Sequence, residues 1–103
     1  MTLINMNLVG EFTNAESFLR HNLNPLTING LIKIFEIPEK VFEDYISKND
    51  FYKDETAIFN YLLDEGYSDE EIIKHILTKE KKKYVVEVIE EDDIYFKIFE
   101  VYE

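Results

Sequence analysis

Between Leu77 and Tyr84 the apolar pattern changes period, and that change decides the fold class of this chain. Upstream, apolar residues recur at three- and four-residue intervals, the spacing that lines up one face of a helix. Downstream, Tyr84 to Glu90 and Ile94 to Tyr102 are rich in β-branched and aromatic residues, with Glu91-Asp92-Asp93 between them. This predicts a hairpin with a three-residue loop, pairing Val86 with Ile98, Val88 with Phe96 and Glu87 with Lys97. Thr2 to Val9 also alternates, with Ile4, Met6 and Leu8 on one face, Asn5 and Asn7 on the other, and Gly10 as its end. A two-stranded ribbon alone is marginal in water, so the N-terminal strand is expected to join it. At 103 residues the chain has room for one core, and a single α+β domain spanning 1–103 is predicted.

Five short helices fill the middle. Thr13 and Glu16 have capping-box spacing, followed by Ala15, Phe18 and Leu19, and this helix should run to about Asn22. Asn24-Pro25 breaks the chain, because proline disfavours helix at the residue before it. Thr27 caps a second helix with Ile28, Leu31, Ile32 and Phe35 inward. Pro38 suits the first turn of a third, with Val41, Phe42, Tyr45 and Ile46 inward, and Ser47 to Tyr52 reads as a polar link. Asp54 or Glu55 opens a fourth, striped by Ile58, Phe59, Leu62 and Leu63, and Gly66 is its left-handed stop. Ser68 and Glu71 form a second capping box, ahead of Ile72, Ile73, Ile76 and Leu77 in a fifth.

Charge narrows the function. The net charge is -11, from 22 Asp and Glu against 11 Lys and Arg. Met1 to Phe35 is neutral, with Glu11 and Glu16 against Arg20 and Lys33, so the whole excess lies between Glu36 and Glu103. Such a field repels polyanions and disfavours direct nucleic-acid binding. The one basic cluster is Lys79, Lys81, Lys82 and Lys83. No cysteine is present, which removes thiol catalysis and cysteine–zinc sites. His21 and His75 stand in no metal-ligand spacing, and no nucleophile–base pair or glycine-rich phosphate loop occurs. A non-enzymatic protein without a cofactor is expected. Met1 to Phe12 has neither the basic start nor the cleavage pattern of a secretory signal, and no apolar run reaches membrane-spanning length, so a cytoplasmic protein is expected.

Leu26 to Ile46 resembles a helix-turn-helix of the kind found in phage and plasmid repressors. Leu31, Phe35, Ile37, Phe42 and Tyr45 fall where that motif places its core, Ile37 plugging the wedge between two steeply crossed helices. Glu36 stands at the turn position that usually holds glycine, and Ile32 where a small residue is usual. The exposed start of the second helix carries Pro38, Glu39, Lys40, Glu43 and Asp44, which would face a DNA groove with three carboxylates and one lysine.

The carboxylates gather instead at two turns: Asp64, Glu65, Asp69 and Glu70 around Gly66, and Glu90, Glu91, Asp92 and Asp93 at the hairpin. Tyr52, Tyr61, Tyr67, Tyr95 and Tyr102 are candidates for partial exposure beside them, a pairing of contact area with steering charge. These eight acids are the predicted partner-binding residues, and a basic nucleic-acid-binding protein of a host is the predicted partner. In size, acidity and composition the chain is similar to phage-encoded inhibitors of the DNA-mimic and anti-CRISPR kind. The alternative reading is a helix-turn-helix regulator or an antitoxin-like protein. An exposed hairpin edge would also admit a homodimer.

Overall fold

A computed structural model describes residues 5–21, 28–79 and 83–102, in the order β1 (Asn5–Phe12), α1 (Ala15–Arg20), α2 (Ile28–Ile34), α3 (Glu39–Asn49), α4 (Glu55–Asp64), α5 (Asp69–Thr78), β2 (Lys83–Glu90) and β3 (Ile94–Tyr102). The expected α+β architecture is present. The three strands form one antiparallel sheet in the order β1-β3-β2, so the N-terminal strand joins the hairpin along β3. The hairpin register is the one expected, with Val86 opposite Ile98, Glu87 opposite Lys97 and Val88 opposite Phe96. The Asn24-Pro25 break and the Thr27 cap lie outside the described residues, as do Ile4, Asn22, Lys81 and Lys82.

Strand β1 departs from the alternating reading. It continues through Gly10 to Phe12, and its register against β3 shifts between Leu8 and Gly10. An extra residue inserted at such a bulge reverses which side chains point inward. Met6 and Leu8 therefore stay exposed at 55% and 48%, while Phe12 enters the core. At Gly10 a Cβ would meet the Phe12 ring at 3.0 Å, so any larger residue would push that ring aside. Opposite Gly10 stands Ile98, fully buried.

Helix α1 starts one residue later than its capping box suggested. Asn14, not Thr13, is the N-cap, its side chain accepting from Ser17 N while Ser17 Oγ accepts from Asn14 N. The longer amide cap with a shorter serine partner satisfies the equivalent pair of free N–H groups one residue further along. Glu16 instead serves a clasp between helices. Thr56 Oγ1 donates to it at 2.8 Å and Arg20 Nη2 at 3.0 Å. The Thr56 hydroxyl, joined by the Arg20 guanidinium, holds the Glu16 carboxyl below its ordinary range despite the upward push of burial.

Helix α3 runs to Asn49, further than expected, and ends on Asp50 in the left-handed region at φ 57°. Phe42 is fully buried, whereas Val41 is exposed. On α4 the buried positions are Ala57, Ile58, Tyr61 and Leu62, and Leu63 faces solvent. The stripe is shifted because α3 packs against the Tyr61 side of α4, where Phe42 meets the Tyr61 ring edge-on at 5.9 Å. Gly66 stops α4 at φ +100°, and the Ser68–Glu71 capping box starts α5, both as expected. The core joins Ile58 and Leu62 of α4, Ile72, Ile73 and Ile76 of α5, Phe18 and Leu19 of α1, and Phe96 and Ile98 of β3.

Candidate functional site

The α2–α3 turn presents one acid, Glu36, beside the α4–α5 turn. Glu36 adopts a left-handed backbone at φ 52°, and the chain closes with Ile37 N donating to Ile32 O at 2.9 Å. Ile37 is buried beneath it. This conformation costs a non-glycine residue about 1–2 kcal/mol. It leaves the Glu36 side chain in solvent.

The α4–α5 turn supplies further acids. Glu36 and Glu65 rim one shallow depression of about 360 Å³, floored by Phe35, Ile37, Tyr61, Leu62 and Tyr67. Glu36 therefore belongs beside the predicted acids, although in sequence it stands out only as a misfit in a turn. Asp64 is exposed at the end of α4 and accepts from Tyr45 Oη at 2.7 Å, tying α4 to α3. Burial, then that hydrogen bond and the Asp64 charge, push the Tyr45 hydroxyl up to about 12. Tyr61 is also raised, by burial first and then by the Glu65 and Tyr67 charges.

Asp69 and Glu70 prove to be engaged locally. Asp69 Oδ1 accepts from Ala15 N at 2.7 Å, so this carboxylate satisfies the first turn of α1 across the core. A half-buried acid held this way is a structural element first. Glu70 pairs with Lys74 at 3.2 Å along α5. Glu71 likewise turns back to cap Ser68 N.

At the hairpin the four acids are differently placed. Glu90, Glu91, Asp92 and Asp93 are all exposed, and none of them pairs with a described lysine or arginine. The antiparallel ladder continues to Glu90 and Ile94, so the turn is carried on ordered strands. No hydrogen bond, ion pair or ring contact among the described residues joins this turn to the Gly66 cluster. The two acid groups are separate features, not one built pocket.

Among the described residues no three His, Asp or Glu side chains converge as a metal-binding group, and no helix is long and apolar enough to cross a membrane. His75 is a packing residue, stacked on Phe35 at 4.7 Å with Nε2 3.0 Å from Ile34 O. Of the tyrosines expected at the surface, Tyr52 and Tyr102 are exposed, Tyr67 and Tyr95 half-buried, and Tyr61 buried. Tyr61 is drawn inward by the rings of Phe42 and Tyr45. Lys74, Lys83, Val85 and Val101 border a groove of about 600 Å³ at the edge of the sheet between α5 and β2, floored by Leu77, Tyr84 and Val86.

The Tyr45–Asp64 bond yields a pH expectation. A hydroxyl whose folded value is raised stabilises the fold fully below its unfolded value of 10.0, and that stability is lost as pH rises towards 12. Alkaline difference absorbance should show Tyr45 ionising late, and Tyr45→Phe should remove that late component. An unchanged titration would exclude the bond in solution.

Compared with models of known protein families, with curated proteins and with solved structures, the chain matches none.

Proposed function

We propose that the protein is a non-enzymatic, acidic protein-binding inhibitor, encoded by a phage or other mobile element, that blocks a nucleic-acid-binding protein such as a CRISPR effector. The observation that carries this reading is the hairpin turn: four consecutive exposed carboxylates, without described counter-ions, on an ordered ladder. Anions carried at the end of a hydrogen-bonded ladder meet a cationic groove with less backbone entropy to lose than a free segment would. The chain's net charge of -11 adds long-range steering towards such a groove. Glu36, Asp64 and Glu65 offer a second anionic contact, whereas Asp69 supports the fold behind it. The reading entails a cytoplasmic protein.

A second reading keeps the α2–α3 pair as the DNA-reading unit of a regulator or antitoxin. It is favoured by the left-handed Glu36 and the buried Ile37 at the turn. Its difficulty is electrostatic, because Glu39, Glu43 and Asp44 are exposed along α3.

One experiment separates the two. The purified chain is titrated into a CRISPR effector bound to labelled duplex DNA, and separately into the duplex alone, across a salt series. Loss of the effector–DNA complex, strongest at low salt, with no retardation of the bare duplex is the expected result. Retardation of the duplex by the chain itself, with a steep salt slope, would replace the inhibitor by the regulator.

A further inference from the structure

The sheet has two faces, and only one of them is used by the core. Tyr84, Val86 and Val88 of β2, and Phe96 and Ile98 of β3, pack inward. The alternate positions point the other way and form cross-strand rows: Met6–Val101–Lys83, then Leu8–Phe99–Val85, then Glu11–Lys97–Glu87, with the half-buried pair Tyr95–Ile89 beyond them. Among the described residues none of the apolar members of these rows packs against the helical core. Met6, Leu8 and Val85 are exposed, and Phe99 and Val101 are shielded only in part. A contiguous apolar sheet face of this kind marks an interaction surface.

We infer that this face is where a second copy of the chain docks, sheet on sheet, as a reversible two-fold dimer. Charge selects the occupant. The chain as a whole carries -11, but on this face Glu11 and Glu87 are balanced by Lys97 and Lys83. Lys97 Nζ already lies 3.7 Å from Glu11 Oε1. A cationic partner gains nothing here, while a second copy can approach without stacking carboxylates.

Charge also selects the axis. A two-fold axis lying between the sheets along the Phe99 row places Leu8, Phe99 and Val85 over their own counterparts. It brings Glu87 over Lys83 of the second copy, and the reverse. An axis parallel to the strands would instead place Glu11 over Glu87 of the second copy. Aligned sheets pack about 10 Å apart with this geometry.

The footprint sets the size class of the interface. Three strands of about eight residues span roughly 14 by 27 Å. That footprint is on the order of half the 800 Å² per partner of a standard interface, which puts the dimer in the weak, transient class. The dissociation constant should be on the order of 100 µM. The inference does not rest on the acidic turn, which lies beyond the end of these rows.

Sedimentation equilibrium from about 5 µM to 1 mM should show the mass rising from 12.3 kDa towards twice that value. Leu8→Lys, at an exposed position, should weaken association at least tenfold while the far-UV spectrum stays unchanged. Lys83→Glu should weaken it several-fold, and adding Glu87→Lys should restore it, because the swapped pair faces itself across the axis. A mass fixed at 12.3 kDa throughout would overturn the dimer and leave the face to a different protein. Association that ignores Leu8→Lys, a double swap that fails to rescue, or a mass passing beyond two copies would overturn it equally.

Discussion

Truncating Phe42 to alanine is expected to remove about 3–5 kcal/mol of unfolding free energy. For a domain of this size that lowers the thermal midpoint by more than about 10 °C. The side chain is fully buried and meets Tyr61 edge-on at 5.9 Å, so it holds α3 on α4. The other inward residues of α3, Tyr45 and Ile46, are only half-buried and cannot take its place. A domain with about 5–15 kcal/mol in total would lose a large share of its stability through this one cavity. Val41→Ala, on the exposed side of the same helix, should cost less than about 1 kcal/mol. Urea unfolding followed by far-UV circular dichroism measures both. Equal costs for the two variants would mean that α3 is not anchored through Phe42.

The second large effect concerns association with the basic partner. Reversing Glu90, Glu91, Asp92 and Asp93 to lysine should lower the association rate at least about tenfold at low ionic strength, because steering is what separates fast charged encounters from neutral ones. Above about 0.5 M salt the rates of the two proteins should converge, since screening then acts within a few ångströms. Stability should hardly move, because all four side chains are exposed and outside the core. Stopped-flow mixing with the effector across a salt series provides the measurement. Unchanged rates at low salt would remove the hairpin turn from the contact and direct attention to Glu36, Asp64 and Glu65. Asp69→Lys is a poor companion variant, because losing the bond to Ala15 N disturbs α1.

Much of this fold was legible because its signals are local. The Ser68–Glu71 box, the Gly66 stop and the Ile72 to Leu77 stripe each depend on a few neighbouring residues. The hairpin register followed from a three-residue loop and two apolar faces. What misled was non-local. The bulge before Gly10 depends on room for the Phe12 ring against β3, and the inward turn of Tyr61 depends on which side of α4 receives α3. The acids show the same division. The exposure of Glu91, Asp92 and Asp93 at the hairpin turn, with Glu90 ending β2 beside them, is legible in a local run of charge, but nothing local tells that Asp69 serves Ala15, 54 residues away. Nor does anything local tell that Glu36 shares a depression with Glu65, which only tertiary packing brings about.

The pairing of β1 with β3 bears on how the polypeptide matures. The first described strand finds its hydrogen-bonding neighbour only among residues 94–102, and α1 receives its bond from Asp69, 54 residues further along the chain. During synthesis, therefore, Met6, Leu8 and Phe12 leave the ribosome before the strand they pair with. Contacts that span most of a chain form slowly, and the waiting strand is the part that chaperones or proteases would meet. Closure of this domain is a late event, completed only after Tyr102 has left the exit tunnel.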